Sequence, residues 1–335
     1  MFSKDGKSIR ALKLSDGLII PSASIKGQAS KAWFYGDKDT ESRLAQLESL
    51  TGKSLLEIVN CSDVNELTVD TLENFRAWLS VQRTRTESSR QSTKKTDTEM
   101  VRLWATAQIN NNAELSPEKK KDLIAAMPMI HSVESTFQLQ RMRIAAAHSG
   151  ELSDLDLVLI KNTSKKPFIF GDAPCVYYNL LRHGTDYKGV LGMKSLGLMV
   201  IFPLNEKLMA ILYDNNSYKV RQASNGIRST NLSSDITSLN LLQIKAASSC
   251  IYYSNKADDS YVQYLFESSR KISAKKEHIS QETNFRLNSD GTASSIWMTY
   301  EPQLPVKLCL SFISVKDIKF PPEINTREDY LNYIR

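Results

Sequence analysis

Phe168-Ile169-Phe170-Gly171-Asp172-Ala173-Pro174-Cys175-Val176-Tyr177-Tyr178 is the stretch whose reading decides the fold. Two short apolar runs rich in β-branched and aromatic residues flank a Gly-Asp-Ala-Pro turn, and a third, residues 196–202, stops at Pro203-Leu204. Short runs bounded by Gly, Asp and Pro read as strands of a sheet, not as helix. Similar runs at 155–161 and 207–213 extend the pattern and imply an antiparallel or mixed sheet. Upstream, residues 9–20 bracket Asp16-Gly17 as a hairpin would. From Glu41 the apolar period becomes helical, with Leu44, Leu47 and Leu50, then Leu55, Leu56, Ile58 and Val59 beyond a break at Thr51-Gly52-Lys53. Further helices are expected at 68–85, 96–109, 116–127 and 132–147, with Ser116-Pro117-Glu118 as an N-cap and first turn. Composition changes over 149–154. After the strands come two helices, 235–254 and 258–276, a hairpin at 284–301 turning on Ser289-Asp290-Gly291, and a strand at 308–315. The fold class is therefore α+β: a helical N-terminal half packed on a mixed or antiparallel sheet, with C-terminal helices and a hairpin. Residues 1–150 and 151–335 are expected to form one composite globular unit.

Apolar residues at 41% with 24% charged exclude a disordered chain, and 335 residues suffice for a sizeable core. The longest apolar run is too short to cross a bilayer and the first residues lack a signal-peptide core, so a cytoplasmic protein without a membrane partner is expected. Cys61, Cys175, Cys250 and Cys309 are scattered with no Cys-x-x-Cys pair, which reads as free thiols. Phosphate-loop, His-Glu-x-x-His, Gly-x-Ser-x-Gly and Gly-x-Gly-x-x-Gly signatures are all missing, which disfavours the common nucleotide-dependent and zinc enzymes. Gly189, Gly192 and Gly197 read as turn glycines, and His131, His148, His183 and His278 as isolated packing or surface residues.

Candidate chemistry lies in residues spaced to share a helix face. Gln82 and Arg85 are three apart, as are Asn240 and Gln243 on an otherwise apolar helix. Buried amides need partners, and the obvious ones are each other, the Arg85 guanidinium and the Asp172 carboxylate. In the functional reading Asp172 is a metal ligand or general base, Arg85 grips a phosphate or carboxylate, and Gln82, Asn240 and Gln243 complete a catalytic clamp. No cofactor is specified by sequence; a divalent metal is the one such a carboxylate admits. In the structural reading Asp172 caps its turn, pairs with Arg85, and the cluster only fixes the fold.

Charge speaks to partners. The net charge is +6, and between Arg83 and Lys95 the chain carries Arg83, Arg85, Arg90, Lys94 and Lys95 against Glu87 alone. With Lys119, Lys120 and Lys121, and with Arg141 and Arg143 on neighbouring helices, these residues would form a nucleic-acid-binding face if the helices lie side by side. The alternative is an ordinary solvated surface.

Several of these pieces resemble the bacterial domain of unknown function 4238 family over most of the chain. The matching motifs are Phe34-Tyr35-Gly36-Asp37 followed by Glu41, Leu44 and Glu48; Gln82, Arg85 and Thr86; Asp172, Pro174 and Val176; Phe202-Pro203-Leu204; and Asn240 with Gln243. The resemblance implies a His-x-x-Pro-x-x-Tyr-Leu-like stretch before the first hairpin, which this sequence lacks, and a Ser where Gly171 stands. It supplies no established activity, and implies an accessory or defence-associated bacterial protein. Two functions follow as expectations. One is a nucleic-acid- or nucleotide-directed effector, nuclease-like and of phage-defence or toxin type, built on Asp172, Arg85, Gln82, Asn240 and Gln243. The other is a non-catalytic interaction or sensor subunit of a defence complex, partnered with a protein from a neighbouring gene.

Overall fold

A computed structural model describes residues 6–29, 38–130, 134–221, 224–274, 278–287 and 293–335. The chain opens with the hairpin β1 (Ser8–Lys13) and β2 (Ile19–Ser24), followed by the short α1 (Ile25–Ala29). The helical region comprises α2 (Lys38–Asn60), α3 (Val69–Thr84), α4 (Glu87–Asn111), α5 (Pro117–Ala125) and α6 (Glu134–Ala147). Strands β3 (Asp156–Asn162), β4 (Phe170–Gly171), β5 (Val176–Tyr178), β6 (Met199–Asn205), β7 (Leu208–Tyr213), β8 (Tyr218–Val220) and β9 (Ile227–Thr230) come next. They lead to α7 (Ser233–Ala246), β10 (Cys250–Tyr253) and α8 (Asp259–Arg270). The chain closes with the hairpin β11 (Ile279–Leu287) and β12 (Ala293–Tyr300), then β13 (Ile313–Val315) and α9 (Arg327–Ile334).

The central sheet has the order β5-β6-β7-β3-β9, antiparallel throughout except for the parallel β3–β9 pair. Alternation along its strands assigns the layers. Val158, Ile160, Met199, Ile201, Met209 and Ile211 face α7 through Ile236, Leu239 and Leu242. Leu157, Leu159, Val200, Phe202, Ala210 and Leu212 face Ile58 of α2 and Phe75 and Leu79 of α3. Because both faces are covered, the strands read as nearly continuous apolar runs. A second sheet, β2-β1-β10-β4, is antiparallel and packs on Val262, Leu265 and Phe266 of α8.

The fold class is as the sequence predicts, a helical N-terminal half on mixed and antiparallel sheets, and the differences are local. Helix α2 runs unbroken through Thr51-Gly52-Lys53, since the Thr51 hydroxyl is satisfied inside the helix, on the Leu47 carbonyl at 2.8 Å, and the apolar face continues at Ile58. Helix α4 begins nine residues earlier than the apolar period implies, at Glu87, where the Thr86 side chain caps it by accepting from the Ser89 amide. The helix expected over 235–254 ends at Ala246, and Cys250–Tyr253 is a strand instead. Of the strand expected at 308–315, only Ile313–Val315 pairs with a neighbour. The preceding extended chain buries Leu304, Val306, Leu308, Leu310 and Phe312 at period two against the α7 face. There the Tyr178 hydroxyl stands in for a neighbouring strand, donating to the Val306 carbonyl at 2.9 Å and accepting from the Leu308 amide at 3.1 Å. Helix α9 and strands β8 and β9 have no counterpart in the sequence reading. Phe34-Tyr35-Gly36-Asp37, Trp33, His131 and Ser289-Asp290-Gly291 lie outside the described residues.

Candidate functional site

The residues singled out by sequence gather around the C-terminal end of α7, though not as one pocket. Asn240 and Gln243 lie on the α7 face turned toward β4, and both are 0% exposed. Asn240 Nδ2 donates to the Pro167 carbonyl at 2.8 Å and to the Tyr261 hydroxyl at 3.0 Å, while its Oδ1 accepts from the Ile169 amide at 3.1 Å. One turn on, Gln243 Nε2 donates to the Pro174 carbonyl at 3.0 Å and its Oε1 accepts from the Gly171 amide at 3.3 Å. The two amides thus hold both sides of the 167–174 segment by its backbone. Gly171 has no room for a side chain, since a Cβ there would stand 2.9 Å from the Gln243 carbonyl oxygen and 3.0 Å from the Ala247 methyl. This close approach accounts for glycine at this position.

Asp172 follows directly, half-buried. Its carboxylate accepts from the amides of Ser248 at 2.8 Å, Ser249 at 2.7 Å and Cys250 at 3.2 Å, and from the Ser248 hydroxyl at 3.1 Å. These donors are the ones set free where α7 stops and β10 begins, so Asp172 caps that junction rather than its own turn. It also explains why α7 ends at Ala246: after the Ala247 amide makes the last helical bond, to Gln243, the next three amides are bound by a carboxylate on another segment. Burial, and next the Asp172 charge, push the Cys250 thiol up from its ordinary range.

Arg85 has a different partner. Its Nη1 pairs with Glu48 of α2, joining residues from two of the motifs. Among the described residues no hydrogen bond or ion pair links Arg85 to Asp172. The α3–α4 corner is nevertheless brought to α7, because the Ser88 hydroxyl reaches the Ala246 carbonyl at 3.4 Å. Beside Arg85, Gln82 turns its Oε1 into the protein, where it has no hydrogen-bond partner among the described residues. The five candidate residues therefore fall into two sets, Asp172, Asn240 and Gln243 on one side and Gln82 and Arg85 on the other. Phe202 of the Phe-Pro-Leu motif packs edge-on against Trp78 at 4.7 Å and Phe170 at 6.0 Å, a core contact.

The basic residues are also divided. Arg83 pairs with Glu301 at 2.5 Å and stacks 3.9 Å above the Tyr177 ring. Arg90 is buried and donates from Nε to Gln138 Oε1 at 2.7 Å. Arg141 donates from Nη1 alone to both oxygens of Asp97, at 2.8 and 2.7 Å. These three side chains turn inward, leaving Lys94, Lys95 and Arg143 on the exterior of α4 and α6, and Lys119 and Lys121 on α5. Long side chains reaching across a helix pair satisfy buried carboxylates and amides as readily as phosphates, and here they do.

Sequence reasoning passed over two features. One is the Arg85–Glu48 pair, hinted at by both residues belonging to shared motifs. The other is a cleft of about 390 Å³ lined by Glu151, Asp154, Lys194, Arg327, Glu328 and Arg335. Arg327 there is buried and forks onto Asp154 at 2.6 and 2.7 Å, across 173 residues of chain, a pairing no local pattern announces. No group of three or more His, Cys, Asp or Glu side chains suited to a metal ion occurs among the described residues. No described helix is long and apolar enough to cross a membrane.

Fold and site together define an α+β protein whose motif residues mainly bind its own backbone. The family of proteins of unknown function designated DUF4238 matches residues 1–257, and the chain belongs to that family. No curated protein and no solved structure matches it.

Proposed function

We propose that this is a non-catalytic interaction protein of the cytoplasm, in which the polar cluster at the end of α7 fixes the fold. One observation supports the reading above all: Asp172, Asn240 and Gln243 spend their polar atoms mainly on backbone amides and carbonyls of their own chain. A general base or metal ligand needs a lone pair directed at substrate or ion, whereas four donors already surround this carboxylate.

The surface for a partner is the far half of α4. Met100, Leu103, Trp104 and Ala107 follow the i, i+3, i+4, i+7 spacing of a helix face made for burial, yet all four are exposed, Trp104 by 66%. The opposite face packs on α5 and on the 127–129 turn. Residues 87–130 carry seven basic and six acidic side chains, a balance that suits a protein better than a polyanion. The partner is accordingly a protein offering an apolar groove to this helix, in the manner of helix-in-groove recognition. A second reading, the nucleic-acid- or nucleotide-directed effector, draws on Lys94, Lys95, Arg143, Lys119 and Lys121 at the surface.

One set of measurements separates the two. Wild-type protein and Asp172→Asn are assayed for binding and cleavage of single- and double-stranded DNA and RNA with magnesium or manganese across a salt series, and both are melted. The interaction reading expects no turnover from either and a lower melting temperature for Asp172→Asn. Metal-dependent cleavage that disappears in Asp172→Asn without a change in melting temperature would overturn it.

A further inference from the structure

Arg182 is 7% exposed, yet among the described residues no carboxylate answers its charge. The residue follows β5 in the loop that leads to β6. Its guanidinium lies against two aromatic rings, with Cζ 3.9 Å from the Tyr187 centroid and 4.7 Å from that of Phe320. Phe320 is itself propped edge-on against Tyr330 of α9 at 6.0 Å. The backbone is fixed as firmly, since the Arg182 amide donates to Asn179 Oδ1 at 3.0 Å and Asn179 is 0% exposed. Of the five N–H donors of a guanidinium, one is used among the described residues, from Nη2 to the Ile324 carbonyl at 2.9 Å.

The other buried arginine of this region behaves differently. Arg327 binds both oxygens of Asp154 and the carbonyls of Ser195 and Glu151, so four of its five donors are used. Arg182 and Arg327 both hold the 324–327 segment, but only Arg327 needs its whole fork to do so. The Nε and Nη1 atoms of Arg182 are not sealed from solvent. What remains is a planar cation with a rigidly set, open edge of donors. That is the geometry that receives a carboxylate or phosphate through two parallel hydrogen bonds. Two rings within 5 Å of the guanidinium carbon restrict it in advance and reduce the ordering cost of binding. Lys188 and Lys319 are exposed in the segments that carry Tyr187 and Phe320, where the exposed carboxylates of Asp186, Asp317 and Glu323 oppose them, so the anchor is the Arg182 donor edge and not the surrounding field.

We propose that Arg182, clamped by Tyr187 and Phe320, is the anchor of an oxyanion-binding site that takes a small carboxylate or phosphate group. The site lies apart from the α7 junction and does not depend on the interaction reading.

The test is melting of the whole protein in inorganic phosphate and, separately, in acetate, each against chloride at equal ionic strength. Wild type should melt several degrees higher in at least one of the two, and which one identifies the oxyanion. Arg182→Lys keeps the charge without the fork and should lose at least about tenfold in the apparent affinity drawn from the concentration dependence. Tyr187→Ala, which removes a partly exposed ring and spares the Ile324 contact, should weaken it about threefold or more. It keeps the question answerable if Arg182→Lys does not fold. Arg327→Lys, where foldable, should leave the affinity unchanged. The proposal is overturned if wild type shows no shift beyond chloride with either anion, or if folded Arg182→Lys or Tyr187→Ala shifts as wild type does.

Discussion

The α7 junction and the far half of α4 both break the rule that polar residues face water, and they break it in opposite ways. At α7 the polar side chains are inside and bind mostly backbone, so each fixes one segment in one place. Along α4 the buried residues Arg90, Thr93, Thr96, Asp97 and Thr98 are polar too, but Arg90 and Asp97 are met by side chains of α6, and the apolar residues further along the helix are turned outward. A side chain that binds backbone specifies the chain's own path. A helix that hides its polar residues and displays its apolar ones has a face left over for something else. The contrast explains how one protein can carry a motif-rich interior committed largely to its own backbone and a motif-poor arm with an uncovered surface.

The largest effect should come from the junction. Asn240→Leu or Gln243→Leu keeps most of the volume but strands the Ile169 amide and Pro167 carbonyl, or the Gly171 amide and Pro174 carbonyl. Each should cost about 2–4 kcal/mol of unfolding free energy, read by denaturant titration. Next is the α4–α6 seam. Asp97→Ala leaves Arg141 without its carboxylate and should cost about 2 kcal/mol, whereas Asp97→Leu combined with Arg141→Leu should cost less than the single change, a non-additivity read from a double-mutant cycle. Asp172→Asn retains one acceptor oxygen for three amides and should cost about 1 kcal/mol, near the value of a lost helix cap.

Those three sizes also show where the fold was legible. The strand runs around Asp172 and the period of the helices gave the α+β class, because alternation and the 3.6-residue repeat survive in sequence wherever a face is buried. The end of α7 was not legible. Ala246-Ala247 continues a helical pattern, and only a carboxylate 76 residues earlier, Asp172, shows that the Ser248–Cys250 amides are bound elsewhere. The start of α4 was missed for a related reason: its first turns are polar because their partners are Gln138 and Arg141, so no apolar stripe marks them. Asp172, Asn240 and Gln243 meet at the α7 junction while Gln82 and Arg85 do not, because spacing along a helix cannot say whether an amide meets a side chain or a backbone, nor that Glu48 would engage Arg85.

Thiol chemistry sharpens the comparison from another side. Cys175 is sealed in the core against α2 and α3, where burial pushes its thiol up to about 12, partly opposed by Arg83. A raised native pKa means that its contribution to stability is intact below about 9 and is lost as pH climbs toward 12. At pH 8 an aromatic disulfide reagent should therefore modify exposed Cys309 promptly and Cys175 only on unfolding, as peptide mapping would show. The smallest effect belongs to the arm. Met100→Ser and Trp104→Ser should each change stability by no more than about 0.5 kcal/mol, since neither side chain is buried in the monomer.

The central claim is that the α7 amides serve the fold and the α4 stripe does not. The most direct measurement is the unfolding free energy of Asn240→Leu beside that of Trp104→Ser, under the same conditions and by the same denaturant titration. The account predicts a loss of at least about 2 kcal/mol for the first and about 0.5 kcal/mol or less for the second. Asn240→Leu as stable as wild type, or Trp104→Ser the more damaging of the two, would contradict it.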